Sequence, residues 1–243
     1  GWDEITVPGN WQMQGYGMPI YSNWTHPFVK DAPYVMGQPP KEYFSYANRN
    51  PIGSYITHFE LSASEVGKAV FLHFEGVKSA MYVWVNGQKV GYSENSMSPA
   101  EFNITQFVRA GMNKLAVEVY RWSDSSYIED QDMWRLSGIF RPVELWIRPQ
   151  AHIRDYTVEA VPSEDFSTAT LYGKFSLRNL SAKAVKNLSI AMKINGKDIY
   201  GYDASRSISS ETFEITPSGE IIINMETIIK APRLWSAEKP ELY

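Results

Sequence analysis

An alternation of apolar and polar residues at every second position is the feature that most restricts how this chain can fold. It is clearest from Tyr55 to Leu61, and it returns at residues 70–74 and 117–119. A period of two residues places one set of side chains on a single face of a β-strand. No long stretch of the sequence has the 3.6-residue period of an amphipathic helix. The sequence therefore predicts an all-β fold.

Two Asn-Gly pairs, at 86–87 and 195–196, are each flanked by alternating apolar residues. The tight turn of a two-residue hairpin requires a positive φ angle at both central residues, and Asn followed by Gly meets that requirement most readily. We therefore expect a β-hairpin at each pair. Turn-forming clusters interrupt the rest of the chain at short intervals, which favours a sandwich or jelly-roll of antiparallel strands.

The length of 243 residues is sufficient for one large or two ordinary domains, each with its own core. A short polar segment at 148–152 follows the apolar run 143–147. Beyond this segment aromatic residues become rarer, while Ser, Lys and Ile become more frequent. We therefore predict two domains, residues 1–150 and 151–243. The second has the length and turn spacing of an immunoglobulin-like sandwich.

Residues 18–51 form a different kind of segment, because repeated prolines exclude a long central strand there. The composition predicts an ordered surface excursion rather than a flexible linker. We expect its aromatic residues to anchor it, and these are Tyr21, Trp24, Phe28, Tyr34, Tyr43, Phe44 and Tyr46.

The composition also excludes several functions. The chain contains no cysteine, which rules out disulfides, thiolate metal sites and a cysteine nucleophile. Its net charge is −4 and its 23 basic residues are scattered, so nucleic acid is not an expected partner. Apolar runs such as 81–85 are far shorter than the roughly 20 residues that span a bilayer, so no membrane partner is expected. The sequence starts at Gly1 without Met and enters strand-like sequence almost at once, so we expect it to be a piece of a longer protein.

The segment from Arg121 to Arg141, RWSDSSYIEDQDMWRLSGIFR, lies between two apolar, strand-like runs and is predicted to be a loop. It combines carboxylates with flat aromatic rings. Carboxylates accept hydrogen bonds from hydroxyl groups, and ring faces cover the apolar side of a sugar. The segment therefore favours binding of a polyol or a hard cation, and its candidate residues are Asp124, Glu129, Asp130 and Asp132 with Trp122, Tyr127 and Trp134.

Two other interpretations of these carboxylates remain open. A pair of acids on opposite sides of a glycosidic bond could hydrolyse it, although such pairs usually come from separate elements. Alternatively, the acids form ion pairs with Arg121, Arg135 or Arg141, or cap turns. The four histidines lack metal-ligand spacing, and the sequence has no GxSxG, GxGxxG or P-loop motif.

Several long stretches of the sequence resemble the N-terminal part of the bacterial β-galactosidases of glycoside hydrolase family 2. They occur in the same order along the chain and cover most of the first predicted domain and the end of the second. They are VPGNWQMQGYGMPIYSNWTHPF at 7–28, EGVKSAMYVWVNGQKVGYSENSMSPAEFNITQFVRAGMNKLAV at 75–117, RWSDSSYIEDQDMWRLSGIFRPV at 121–143 and LWSAEKPELY at 234–243.

The resemblance implies a jelly-roll, sugar-binding β-sandwich followed by an immunoglobulin-like β-sandwich. It implies that the first strand of the jelly-roll and the last strands of the second domain are missing. It also implies a catalytic (β/α)8 barrel with two catalytic glutamates beyond Tyr243, so that this chain contains no catalytic residue and is inactive alone. The implied partners are galactosides, the barrel of the same parent chain, and further copies of the intact enzyme in a homo-oligomer.

By motif match, the resemblance implies two sugar-binding residues. Asn23 in IYSNWT would hydrogen-bond a galactosyl hydroxyl, and an amide suits that role because it both donates and accepts. Asp132 in EDQDMW would accept from the galactosyl 6-hydroxyl and ligate a sodium ion, since a carboxylate oxygen is a hard ligand. The alternatives are a turn-forming role for Asn23 near Pro27 and an ion pair between Asp132 and Arg135.

The resemblance further implies a magnesium ion in the intact enzyme, to which Asp124 and Glu94 could correspond. We do not expect that site to be complete here, because Glu94 replaces an amide of the family pattern. Two other functions remain possible, an autonomous carbohydrate-binding module and an oligomerisation domain. Enzymes acting on β-glucuronides or β-mannosides have similar accessory domains, but the EDQDMW and IYSNWT motifs favour galactosides.

Overall fold

The computed structural model describes residues 1–37 and 45–243. Of the expected aromatic anchors, Tyr43, Phe44 and the side chain of Tyr46 lie outside the described part of the structure. The chain forms two compact units, residues 1–147 and 148–243. Strands dominate both units and the helices are single turns, so the prediction of an all-β fold is confirmed.

The described part of the first unit contains short helical turns and eleven strands. The 3₁₀ turns are Trp11–Gln14, Tyr46–Asn48 and Thr105–Phe107, and the α-helical turn α1 is Ser126–Glu129. The strands are β1 (Ile20–Tyr21), β2 (Ile52–Leu61), β3 (Ala69–Phe74), β4 (Val77–Lys78), β5 (Ala80–Val85), β6 (Gln88–Ser93), β7 (Ala100–Asn103), β8 (Gly111–Tyr120), β9 (Trp134–Arg135), β10 (Gly138–Ile139) and β11 (Val143–Arg148).

The core of the first unit is formed by a four-stranded and a three-stranded sheet. Their strand orders are β2-β8-β5-β6 and β11-β3-β7. The pairs β2-β8, β8-β5, β5-β6 and β3-β7 are antiparallel. The expected alternation is present in β8, where Leu115, Val117 and Val119 are buried. Burying a large apolar side chain contributes about 1.5–3 kcal/mol, so this core is the main source of stability of the first unit. Its buried members are Trp11, Leu61, Val70, Leu72, Phe74, Val77, Met81, Val83, Val85, Ile104, Leu115, Val117, Val119 and Ile139.

The second unit is a smaller β-sandwich. Its strands are β12 (Ala151–Pro162), β13 (Thr168–Asn179), β14 (Val185–Leu188), β15 (Ala191–Ile194), β16 (Arg206–Ser209), β17 (Phe213–Ile215) and β18 (Glu220–Lys230). A three-stranded sheet in the order β12-β13-β18 covers the pairs β14-β17 and β15-β16. Its core consists of Leu171, Phe175, Leu177, Ile190, Met192, Ile215 and Met225.

The two Asn-Gly pairs have different outcomes. Asn86 and Gly87 have φ angles of 52° and 81° and join β5 to β6, so the first predicted hairpin is confirmed. At the second pair a hairpin also forms, because β15 and β16 pair antiparallel, but its turn is not at Asn195-Gly196, where neither residue has a positive φ. There the chain reverses further on, where Asp198 accepts hydrogen bonds from the N–H groups of Tyr200 and Tyr202. An aspartate side chain that caps its own turn therefore displaces the Asn-Gly turn.

This difference predicts unequal stability effects. Asn86→Ala should lower the free energy of unfolding by about 2–4 kcal/mol, because an alanine disfavours positive φ and several hydrogen bonds are lost. The Asn86 amide donates to Phe107 O and Asn113 Oδ1, at 2.8 Å each, and accepts from Lys114 N at 3.0 Å. Urea unfolding monitored by far-UV circular dichroism measures it, since both units consist mainly of strands.

The matched control is Asn195→Ala, because Asn195 is exposed and has no φ requirement. We expect that control to unfold as the unchanged chain does. Equal destabilisation by the two substitutions would contradict the assignment of the turn to Asn86.

Candidate functional site

Two segments that are distant in sequence meet in a short ladder in the first unit. Strand β1 pairs antiparallel with β9, so that Ile20 faces Arg135 and Tyr21 faces Trp134. Asn23 lies two residues after β1, and Asp132 lies two residues before β9. In an antiparallel pair these two positions flank the same end of the ladder. The ladder therefore brings the two predicted sugar-binding segments together.

Asp132 lies on the surface beside exposed aromatic rings. Its Oδ1 accepts a hydrogen bond of 2.6 Å from the Tyr21 hydroxyl. The rings of Tyr21 and Trp134 are 5.6 Å apart at an angle of 49°, and Trp134 and Trp24 are 59% and 76% exposed. The expected alternative of an ion pair with Arg135 is not formed, because Arg135 instead contacts Asp130. A carboxylate next to exposed ring faces suits a sugar or a hard cation.

Asn23 is exposed and its side chain bonds locally. Its Oδ1 accepts from the N–H of Trp24 at 2.9 Å, so the amide does take part in a turn, as the alternative interpretation expected. Within the described part of the chain, Asn23 Nδ2 has no hydrogen-bond partner. The Nδ2 amide group of Asn23 can therefore still donate to a ligand.

A buried ion triad, formed by Lys78, Asp130 and Arg135, lies behind this surface. Lys78 Nζ is 2.8 Å from Asp130 Oδ1, and Arg135 Nη1 is 3.5 Å from Asp130 Oδ2. The side chains of Asp130 and Arg135 are completely inaccessible to solvent. Of the two alternatives considered for Asp130, the ion pair with Arg135 is therefore correct.

Arg135 also fixes the backbone on both sides of the ladder. Its guanidinium donates to Ser22 O at 2.7 Å and to Thr25 O at 3.4 Å, beyond β1. It donates to Gln131 O at 2.9 Å, immediately before Asp132. Because one rigid cation binds carbonyls of both segments, the positions of Asn23 and Asp132 are coupled through it.

A second buried arginine supports the beginning of β1. Arg121 Nη2 donates to Met18 O at 2.9 Å and to Arg135 O at 3.1 Å. Burial lowers the pKa of Arg121 to about 10, while the negative charge of Asp130 opposes that effect. Arg121 therefore remains protonated at neutral pH and keeps both hydrogen bonds.

The excursion from residue 18 to 51 is anchored by a small apolar cluster of its own. Phe28 packs against Trp122 and Tyr127 at ring distances of 5.6 and 5.3 Å, and the Tyr127 hydroxyl donates to Tyr34 O at 2.7 Å. The prediction for Phe28 is therefore confirmed. It is wrong for Tyr21, Trp24 and Tyr34, whose side chains are mostly exposed, and the other buried anchors are Ile20 and Val35.

His26 stacks on Phe28, with ring centroids 5.1 Å apart. Burial is the main cause that lowers the pKa of His26, and Lys30 adds to it, whereas Asp130 acts in the opposite direction. The neutral imidazole is therefore favoured at neutral pH. Sequence spacing gave no sign of this environment, because it depends on the fold of the excursion.

The remaining acids of the 121–141 segment have structural contacts. Glu129 accepts hydrogen bonds from the backbone N–H and the hydroxyl of Ser96, and Asp124 accepts from Ser125 N at 3.2 Å. Glu94 accepts from the Tyr92 hydroxyl at 2.5 Å. Burial raises the pKa of Tyr92, and the charges of Glu94 and Asp124 raise it further.

Asp132, Glu94 and Asp124 are the residues that would hold the two expected metal ions. Each offers a carboxylate oxygen, which is the type of ligand that a hard cation prefers. Across residues 1–37 and 45–243, no group of three or more His, Asp or Glu residues could hold a metal ion. The donor types fit both ions, but further ligands would have to come from elsewhere.

Comparison with known proteins identifies the class to which this fold and site belong. The model of the sugar-binding domain of glycosyl hydrolases family 2 matches residues 2–149. A second model of glycosyl hydrolases family 2 matches residues 151–243. The chain therefore belongs to glycoside hydrolase family 2, and the predicted combination of a jelly-roll and an immunoglobulin-like sandwich is confirmed.

Curated relatives narrow the comparison. The chain is 39% identical over its whole length to a β-galactosidase of Priestia megaterium, of which it covers 22%. It is 40% identical over 98% of its length to a β-galactosidase of Leuconostoc mesenteroides, again covering 22%. The chain thus spans about a fifth of the length of these relatives.

Solved structures share the fold at lower identity. A Bacteroides uniformis β-glucuronidase has a TM-score of 0.74 at 18% identity, and the match covers 98% of this chain and 26% of that chain. A putative β-galactosidase from Bacteroides fragilis has a TM-score of 0.68 at 19% identity, covering 92% and 37%. In the described ranges, no helix has the length and apolar character needed to cross a membrane.

The buried ion triad leads to a prediction about stability. Asp130→Ala should lower the free energy of unfolding by about 3–5 kcal/mol, because it leaves Lys78 and Arg135 buried without their counter-charge. Urea unfolding monitored by far-UV circular dichroism, which reports the strands of both units, measures the change. The matched control is Glu214→Ala, which breaks the exposed pair with Lys186. An exposed ion pair contributes little, so the control should not differ measurably from the unchanged chain.

Proposed function

We propose that this chain is the N-terminal accessory region of a retaining β-galactosidase that hydrolyses terminal β-D-galactosides such as lactose. Its first unit forms one wall of the galactose pocket. The observation that carries this proposal is the convergence of Asn23 and Asp132 at one end of the β1–β9 ladder, beside exposed aromatic rings. Relatives with the printed name β-galactosidase, at 39% and 40% identity, support the choice of galactosides over other sugars.

The chemistry of the two residues suits a sugar. Asp132 is an acceptor that can take a hydrogen bond from the galactosyl 6-hydroxyl, and Asn23 donates to a neighbouring hydroxyl through Nδ2. The rings of Trp134 and Trp24 offer faces for the apolar side of a pyranose. Each group is exposed on the first unit, so the remaining walls of the pocket belong to the rest of the parent chain.

Two metal ions belong to the proposal for the intact enzyme. Asp132 would be one ligand of a sodium ion, which supplies a positive charge to which sugar hydroxyl oxygens can bind. Glu94 and Asp124 would contribute to a magnesium site that needs further ligands from outside the described residues. In the intact enzyme, this region would also contact the catalytic barrel of the same chain, and the enzyme would assemble with identical subunits.

The acids of the 121–141 segment do not act as the catalytic pair. Asp130 is buried in the ion triad and Glu129 accepts hydrogen bonds from Ser96, so both are occupied by structural contacts. A retaining glycosidase requires two carboxyl groups about 5–5.5 Å apart on either side of the scissile bond. We propose that this pair lies in the catalytic barrel of the longer parent protein.

The main test uses the full-length protein and a chromogenic β-D-galactoside. Asp132→Ala should lower kcat/KM by about 100-fold, because a charged hydrogen bond and a cation ligand are lost. Glu60→Ala, which removes an exposed carboxylate from β2, is the matched control and should retain full activity. Activity on a β-glucuronide but not on the galactoside would overturn the proposal.

A second test concerns the chain by itself. Residues 1–243 should show no turnover of the galactoside, and calorimetry should give a galactose Kd weaker than about 1 mM, equivalent to about −4 kcal/mol. The physical reason is that a single wall of a pocket makes few contacts. Micromolar affinity would instead favour an autonomous carbohydrate-binding module.

A further inference from the structure

Tyr21 is the side chain that contacts Asp132 directly. Its hydroxyl donates to Asp132 Oδ1 over 2.6 Å, a distance typical of a charge-assisted hydrogen bond. The Tyr21 side chain is about half exposed, so this contact does not result from packing in a core. The backbone of Tyr21 is nevertheless fixed, because it pairs with Trp134 in the β1–β9 ladder.

We propose that Tyr21 is a positioning residue for sugar recognition, whose hydroxyl binds Asp132 Oδ1 and thereby directs Oδ2 toward the galactosyl 6-hydroxyl. This inference rests on the proposed function of Asp132 and adds the group that orients its carboxylate. Tyr21 acts through Asp132.

The reason such a group is needed is the exposure of Asp132. An exposed aspartate samples several rotamers, and binding a ligand through one of them has an entropic cost. A hydrogen bond from a residue held in a ladder selects one orientation before the sugar arrives. The carboxylate keeps its capacity for the ligand, because its two oxygens together have about four acceptor sites.

The ring of Tyr21 has a neighbour that limits its movement. The centroid of the Trp134 ring lies 5.6 Å from that of Tyr21, and the two planes are tilted by 49°. Because Trp134 is also the ladder partner of Tyr21, the β1–β9 ladder holds the two rings side by side.

The experiment compares two substrates in the full-length protein. One is an aryl β-D-galactoside, and the other is the aryl β-D-fucoside, which is the same sugar without the 6-hydroxyl. Tyr21→Phe keeps the ring and removes only the hydroxyl. It should lower kcat/KM about tenfold on the galactoside and less than about twofold on the fucoside. The control Tyr172→Phe, which removes an exposed hydroxyl from the second unit, should change neither value.

The outcomes separate this inference from the function on which it rests. Equal losses on the two sugars would mean that Tyr21 only supports the local structure, and no loss on either would mean that its hydroxyl is dispensable. Both results would overturn the inference. Asp132→Ala is measured in parallel, and if it affects the two sugars equally, the proposed contact of Asp132 with the 6-hydroxyl is wrong, irrespective of Tyr21.

Discussion

The arrangement of the candidate site depends on the contact between Asp130 and Arg135. Burying a charged pair has a large desolvation cost, and an apolar replacement is often as stable. Arg135, however, also donates to the carbonyl groups of Ser22, Thr25 and Gln131. An apolar residue would leave those groups without partners, so the buried charge gives a defined geometry to two loops that have little apolar packing of their own.

The same contact explains how a very short ladder can hold a site. Strands β1 and β9 pair through only two residues each, and isolated strand pairs of that length are not stable in water. The ladder is held because Arg135, one of its members, is bonded on both sides, and because Ile20 packs into the cluster with Phe28 and Trp122. Side-chain contacts therefore position this backbone pairing.

Much of the fold could be predicted from local sequence, whereas the contacts of Arg135 that hold the site could not. Alternation predicted the long strands, and Asn86-Gly87 predicted its turn, because both depend on neighbours in sequence. The hairpin at Asn195-Gly196 forms, but its turn lies further along the chain, because the side chain of Asp198 stabilises a different turn there. The prediction for the 18–51 segment was correct only in part. Its aromatic residues were expected to anchor it, but Trp24 and Tyr34 are exposed. The aliphatic residues Ile20 and Val35 anchor the segment together with Phe28.

Within the segment 121–141, composition and spacing could not separate the four acids, because all four lie among aromatic residues, and only the resemblance to the family singled out Asp132. Contacts separate them. Asp130 is buried with two cations, Glu129 is bonded to Ser96, and Asp132 is exposed beside Tyr21. The buried Asp130 lies only two residues before the exposed Asp132. This spacing lets the same short loop insert one carboxylate into the interior as an anchor and present the other at the surface.

This division has a physical consequence for recognition. A carboxylate that must bind a sugar or a cation cannot already be paired with an arginine, because the stronger internal contact would compete with the ligand. Asp130 holds the guanidinium of Arg135 and so keeps it away from Asp132, whose one described partner is the neutral hydroxyl of Tyr21. The buried triad therefore contributes to the site in two ways, by fixing the loops and by leaving the negative charge of Asp132 uncompensated at the surface.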